Sequence, residues 1–171
     1  MVDHIRRAVN RLKKKYDTYD PFELCGDLKI LLRYEPMGKH EGCCKGFIYV
    51  KSRIICITLN SDLPEVFRRV VLAHEIGHAV LHRDMVGALP YHDIELFDET
   101  SSVEYEANIF AAELLISNDD VLDIINDDIS FFGVARAPPE LLDFKWRMMK
   151  RDGFMFADSP ITATGNFLKD L

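Results

Sequence analysis

The sequence of 171 residues lacks the features that would place it in a membrane or a secretory pathway. It has no apolar run of the roughly 18 residues that a bilayer-spanning helix needs. Its first residues, MVDHIRRAVNRLKKKY, are charged where a secretory signal would be apolar. The four cysteines form no CxxC pair, and adjacent Cys43 and Cys44 are a poor basis for a disulfide framework. We therefore expect reduced thiols, a cytoplasmic location and no membrane partner.

Basic residues are also fewer than acidic residues. The chain has 21 Lys and Arg against 28 Asp and Glu, a net charge of −7, whereas proteins that bind phosphate backbones are usually basic. This balance argues against direct nucleic-acid binding. The bases are nevertheless concentrated in an amphipathic helix predicted over residues 3–16, which keeps a DNA-binding stress regulator open as one alternative function. A solvated surface is the simpler interpretation of that helix.

The apolar content of 48% is sufficient for a buried core. The predicted elements run in the order helix, strands, then helices, which is typical of an α+β domain. We expect a compact, mostly helical domain over residues 1–150 with a small antiparallel or mixed sheet, followed by a tail over 151–171. Hydrophobic periodicity and turn signals predict strands over 29–34, 46–51 and 53–58, and helices over 3–16, from 20–21 onward, 63–82, 102–116, after Ser117, and 138–150.

The motif that carries chemistry is HExxH, formed by His74, Glu75 and His78 within the helix predicted over 63–82. Residues four apart on an α-helix lie about 40° apart and one turn along the axis. Both imidazoles can therefore reach one ion at a Zn–N distance of about 2.0–2.1 Å. Glu75 points off that line, where it can act as a general base that activates water at the metal. The motif predicts one Zn²⁺ ion and peptide-bond hydrolysis.

A catalytic zinc usually has three protein ligands, and three residues compete for the third place. His82 continues the series, but a further helical turn carries it away from the ion, which favours a structural or supporting role. Asp84 has the spacing used when a glycine breaks the helix, yet Leu81 occupies that position. Glu104 points inward from the next predicted helix, and a buried carboxylate needs a cation. The alternative for Glu104 is a capping box with Ser101.

Several residues are candidates to support such a centre. Asn108 follows Glu104 by one helical turn, where it can hydrogen-bond a ligand histidine and fix its tautomer. Hydrolysis also benefits from a donor to the developing oxyanion. Tyr91 and His92, between the two ligand-bearing helices, and Tyr105 are candidates for that donor, and ordinary surface positions are the alternative.

Three further positions on these two helices have predictable surroundings. Glu106 and Glu113 lie on the stripe opposite Glu104, where we expect a solvated face. Gly77 lies inside a helix at a cost of up to ~1 kcal/mol relative to Ala. It therefore indicates either close approach of a backbone or substrate, or tight helix packing.

The stretch ITLNSDLPEVFRRVVLAHEIGHAVLH and the later E-x-E-A-N-x-F-A-A-E-L-L resemble the ImmA/IrrE family of zinc metallopeptidases. The resemblance covers residues 28–150 and is most specific over 54–117. The family often has Met-Pro after the second stretch, whereas this chain has Ile116-Ser117, and Ser117 can cap the next helix instead. The segment 129–139 is also short for the family.

The resemblance implies a gluzincin-like zinc metallopeptidase fold, with a single zinc ion. His74, His78 and Glu104 match the metal ligands, Glu75 matches the catalytic base, and Asn108 matches a family position. Family members are encoded by bacteria and mobile elements and act on helix-turn-helix transcriptional repressors. The predicted function is thus cleavage of such a repressor, with a non-proteolytic, metal-binding antirepressor as the alternative.

Overall fold

A computed structural model describes residues 2–40, 42–86, 102–127 and 137–155. It confirms the α+β class and the predicted order of elements. The strands are β1 (Leu31–Glu35), β2 (Gly46–Lys51) and β3 (Ile54–Asn60). The helices are α1 (Val2–Tyr16), α2 (Pro21–Asp27), α3 (Glu65–Leu81), α4 (Ser102–Leu115), α5 (Asn118–Asp127) and α6 (Pro139–Arg151).

The three strands form one mixed sheet in the order β1–β3–β2. β1 pairs with β3 in parallel, and β2 pairs with β3 in an antiparallel hairpin. The hairpin turn consists of Ser52 and Arg53, both at positive φ (52° and 67°), as a type I′ turn requires. Neither residue is the Asn or Gly that usually marks this turn. The hairpin is therefore visible in the sequence through its strands and not through its turn.

The helix α3 lies at the centre of the fold. Every residue from Arg69 to Ala79 is buried, because α3 packs against the sheet and α2 and also against α4. Its sequence is apolar nearly all round, which is expected of a helix covered on several sides. The polar residues of HExxH are consequently held in the interior of the domain.

The contact between α3 and α4 is especially close at Gly77. A Cβ atom at this position would lie 3.1 Å from Phe110 Cβ and 3.2 Å from Ala107 Cα. The second of these atoms is backbone and cannot rotate away. Gly77 is therefore explained by the close packing of α4, and this packing brings the side chains of α4 within reach of the HExxH residues.

The prediction that the stripe of Glu106 and Glu113 is solvated is wrong. Glu113 Oε1 accepts a hydrogen bond from Arg6 Nε at 2.9 Å, and Glu113 Oε2 lies 2.9 Å from Lys145 Nζ. Lys13 Nζ donates to the Glu113 carbonyl at 2.9 Å. The reason is that α1 and α6 both pack on α4, so a face opposite α3 is still an internal one. Two bases of the amphipathic helix are thereby engaged within the domain.

Two helices begin at side-chain caps that the sequence predicts. Asp20 caps α2 by accepting from Phe22 N at 2.8 Å. Ser117 Oγ accepts from Asp120 N at 3.0 Å, and Asp120 Oδ2 accepts from Ser117 N at 2.7 Å, which is a reciprocal capping arrangement. All four cysteines are free. None of the helices in the described ranges combines the length and apolar composition of a membrane span.

The domain division stays a prediction. The described residues reach Met155, just past the end of α6 at Arg151. Most of the tail predicted over 151–171 lies outside them.

Replacing Gly77 by Ala should destabilise the fold, because the added methyl group meets the backbone of α4. Overpacking of this kind typically costs about 1–3 kcal/mol, which exceeds the helix-propensity gain of up to ~1 kcal/mol. Urea denaturation measures the effect. Gly26→Ala in α2 is the matched control, since nothing lies within 4 Å of its Cβ position, and it should be neutral or stabilising. Equal stability of Gly77→Ala and the wild type would contradict this account of α3 and α4.

Candidate metal centre

His74 and His78 face one another on α3. Their positions four apart place both rings on the side of α3 that packs against α4, and both are buried (0% and 4% exposed). Their Nε2 atoms are 3.0 Å apart, and the rings meet edge to face with centroids 4.7 Å apart. Two imidazole nitrogens are thus directed at one point.

Glu104 brings a carboxylate to the same point from α4. Its Oε2 lies 3.1 Å from His74 Nε2, and its Oε1 lies 3.5 Å from His78 Nε2. The ligand atoms of the three residues all lie within 4.8 Å of one another. Among the described residues, these three form the group of His, Cys, Asp and Glu side chains whose potential ligand atoms lie this close together. Two imidazoles and a carboxylate form a donor set that suits zinc.

The hydrogen bond of His74 indicates why this point needs a cation. His74 Nδ1 lies 2.9 Å from Asn108 Oδ1, which is an acceptor, so Nδ1 carries the proton. A neutral His74 then presents the lone pair of Nε2 to the carboxylate of Glu104. Two acceptors 3.1 Å apart repel one another, and a divalent cation between them removes the repulsion. The chemistry of the donor set therefore fits a metal ion.

The electrostatics of Glu104 agree with this. Burial by itself would raise the pKa of its carboxyl group. In the absence of a cation, positive charge and donated hydrogen bonds from His74 and His78 act in the opposite direction and lower the pKa well below its usual range. A metal ion bound between these side chains would supply that positive charge instead. Glu104 is consequently held as a carboxylate, the form that ligates metals.

Glu75 occupies a different environment next to the same point. The residue is only 2% exposed. Burial raises the pKa of its carboxyl group to about 7; His78 opposes that shift, and Glu104 adds to it. A carboxyl group with a pKa near neutrality is suited to accept and return a proton. Two carboxylates at one centre thus have pKa values shifted in opposite directions, a pattern typical of functional sites.

The two other candidates for the third ligand are placed elsewhere. Asp84 is exposed, and neither Asp84 nor His82 belongs to the convergent group. His82 instead lies behind His78, with Nδ1 atoms 3.3 Å apart, and its Nε2 lies 3.0 Å from Glu106 Oε2. The helical position of Glu106 predicts a solvated face, whereas the structure places its carboxylate against His82. The sequence feature that could have indicated this contact is His82 itself, which lies one helical turn after His78.

The remaining candidates lie outside the described residues or contact a different helix. Tyr91 and His92 lie outside the described residues, as does Ser101 of the alternative capping box. The ring of Tyr105 packs edge to face on Phe144 with centroids 5.8 Å apart, and Arg151 lies over it at 5.5 Å. These contacts direct Tyr105 toward α6. Its role as an oxyanion donor stays a prediction.

Comparison with known proteins agrees with this geometry. The family model Peptidase_M78, described as the IrrE N-terminal-like domain, matches residues 25–136. The chain belongs to the Peptidase_M78 family. The matched range includes α3 and α4 and therefore all residues of the candidate centre. A Peptidase_M78 domain implies a peptidase, and members of the family are typically metal-dependent.

A relative of this Peptidase_M78 protein comes from Bacillus phage phi105 and is named "Uncharacterized immunity region protein 2". The two are 33% identical over 144 residues, which are 82% of this chain and 88% of the phage protein.

The raised pKa of Glu75 predicts a pH-dependent effect of Glu75→Gln on the metal-free protein. A carboxyl group with a folded-state pKa of about 7 and an ordinary pKa of 4.5 loses its stabilising contribution as the pH rises between these values. The variant should therefore gain stability relative to the wild type over that range. One pKa unit corresponds to about 1.4 kcal/mol, so we expect a gain on the order of 3 kcal/mol at about pH 8.

Urea denaturation at pH values from about 4 to 8 measures this difference. Glu65→Gln is the matched control, because Glu65 is exposed at the start of the same helix. A difference between Glu75→Gln and the wild type that is constant with pH would contradict the raised pKa.

Proposed function

We propose that this protein is a zinc-dependent endopeptidase that cleaves a helix-turn-helix transcriptional repressor of a mobile element or stress response. The observation that carries the proposal is the convergence of His74, His78 and Glu104 within 4.8 Å beside a buried Glu75. In this proposal His74, His78 and Glu104 hold one zinc ion. Membership of the Peptidase_M78 family supports the hydrolytic class of the reaction.

Bound zinc would supply Lewis acidity toward a peptide carbonyl and toward water. Glu75 takes a proton from the attacking water molecule, which its pKa near neutrality permits, and delivers it to the leaving amine nitrogen. Asn108 holds His74 in the tautomer that leaves Nε2 free for ligation. Glu104 would remain a carboxylate, the form that ligates a metal ion.

The choice of substrate is supported by two observations. The ImmA/IrrE resemblance implies a helix-turn-helix repressor, and the phage relative is named as an immunity region protein. Such a substrate would place the enzyme in the cytoplasm. The DNA-binding alternative would rely on the other bases of α1, because Arg6 and Lys13 are engaged with Glu113 of α4. The antirepressor alternative, which acts by contact without proteolysis, keeps the fold and is separated by experiment.

Metal content tests the ligand set. Elemental analysis after zinc loading should give one equivalent of zinc per wild-type chain. Glu104→Ala should lose more zinc affinity than the roughly 10–100-fold that removal of an outer-sphere partner costs. The exposed Glu65→Gln control should bind zinc with the wild-type affinity. Absence of zinc from the wild type would end the metal proposal, and normal affinity in Glu104→Ala would mean that the third ligand is another residue.

Glu75→Gln tests the proteolytic mechanism. The variant should keep its zinc but cleave a helix-turn-helix repressor from the same genetic element about 10²–10⁴-fold more slowly, the usual contribution of a general base. The measurement is the appearance of repressor fragments with purified proteins and the repressor level in cells. Loss of repressor activity at the wild-type rate with Glu75→Gln would instead favour the antirepressor.

A further inference from the structure

A second row of side chains leads away from the candidate centre behind His78. His78 Nδ1 lies 3.3 Å from His82 Nδ1, and His82 Nε2 lies 3.0 Å from Glu106 Oε2. His82 is 8% exposed, and the Glu106 side chain is 21% exposed. The row therefore connects a buried imidazole to a carboxylate near the surface through one intervening ring.

The local backbone fixes the position of His82. The helix α3 ends at Leu81, and the N–H of His82 still donates to the His78 carbonyl at 2.9 Å. The chain then turns, so that the N–H groups of Met85 and Val86 donate to the His82 carbonyl at 2.8 Å and 3.2 Å. His82 is consequently held one helical turn beyond His78, on the same side of α3.

The hydrogen-bond pattern allows one arrangement of protons when His78 binds a metal through Nε2. Nδ1 of His78 must then carry a proton, and it donates to Nδ1 of His82. His82 accepts at Nδ1 and so carries its own proton on Nε2. That proton is donated to Oε2 of Glu106, which as a carboxylate is purely an acceptor. Each ring has a defined tautomer, and every donor in the row meets an acceptor.

The two histidines of the centre are thus supported differently. His74 donates to a neutral amide oxygen of Asn108 at 2.9 Å. His78 donates to an imidazole that is itself bonded to a carboxylate. A carboxylate behind a ligand imidazole fixes the ring orientation and makes the ring a better ligand. In this chain that effect reaches His78 through His82.

We propose that His82 and Glu106 are positioning residues that orient His78 and strengthen its bond to the metal. This inference rests on the metal site of the proposed function. It gives the third histidine of HEIGHAVLH a role other than ligation, and it assigns Glu106 to the support of the centre.

Zinc affinity, measured by competition with a chromophoric chelator, tests the proposal without recourse to activity. His82→Leu should weaken zinc binding about 10–100-fold, the usual cost of losing an outer-sphere partner. His82→Asn can keep an acceptor near the Nδ1 position and should recover part of that loss. Glu106→Ala should weaken binding in the same direction. His4→Ala is the matched control, because exposed His4 lies 4.0 Å from the other oxygen of Glu106. The zinc affinity of this variant should equal that of the wild type.

Nitrogen-15 NMR of the zinc-loaded wild type provides a signature that a merely structural role would not produce. The proposal requires His78 to be protonated at Nδ1 and His82 to be protonated at Nε2. A His82 protonated at Nδ1 would overturn it, as would folded His82 variants that bind zinc as tightly as the wild type. If His82→Leu does not fold, Glu106→Ala and the NMR tautomers decide.

The outcomes separate this inference from the proposed function. If the wild type binds no zinc, both fail together. If the wild type binds zinc and the folded His82 and Glu106 variants bind it equally well, the positioning role alone fails.

Discussion

The structure depends on the close contact between α3 and α4 at Gly77. Because a glycine is present there, the backbone of Ala107 approaches within 3.2 Å of the position of a Cβ atom. This approach brings Glu104 to about hydrogen-bond distance from two buried histidines. A carboxylate and two imidazoles directed at one point in the interior are costly without a cation. The helix packing and the proposed metal site are therefore parts of one arrangement.

The other faces of α4 are held by charge. Glu113 accepts from Arg6 of α1 and pairs with Lys145 of α6, which is completely buried. Burial lowers the pKa of Lys145, and the charge of Glu113 acts in the opposite direction. Glu106 on the same helix contacts His82 at the end of α3. Acidic side chains of α4 thus fix this helix against α1, α3 and α6, and so set the position of Glu104.

Much of this arrangement could be predicted from the sequence, because periodicity reports which residues of an element share a face. The HExxH spacing and the position of Glu104 on its helix were sufficient to predict that these three side chains meet at one point. Periodicity does not report what covers each face, so the partners of Glu106 and Glu113 depended on the packing of α1 and α6. The type of turn at Ser52 and Arg53 could likewise not be predicted, because its residues are not those that usually adopt positive φ.

The central claim is that one zinc ion lies between α3 and α4, bound by two imidazoles and one carboxylate. X-ray absorption at the zinc edge of the zinc-loaded protein tests it most directly. The account predicts two imidazole nitrogens at about 2.0–2.1 Å, carboxylate oxygen at about 2.0–2.2 Å and no sulfur. Because four free cysteines are present, a zinc–sulfur distance of about 2.3 Å or the absence of imidazole scattering would contradict it.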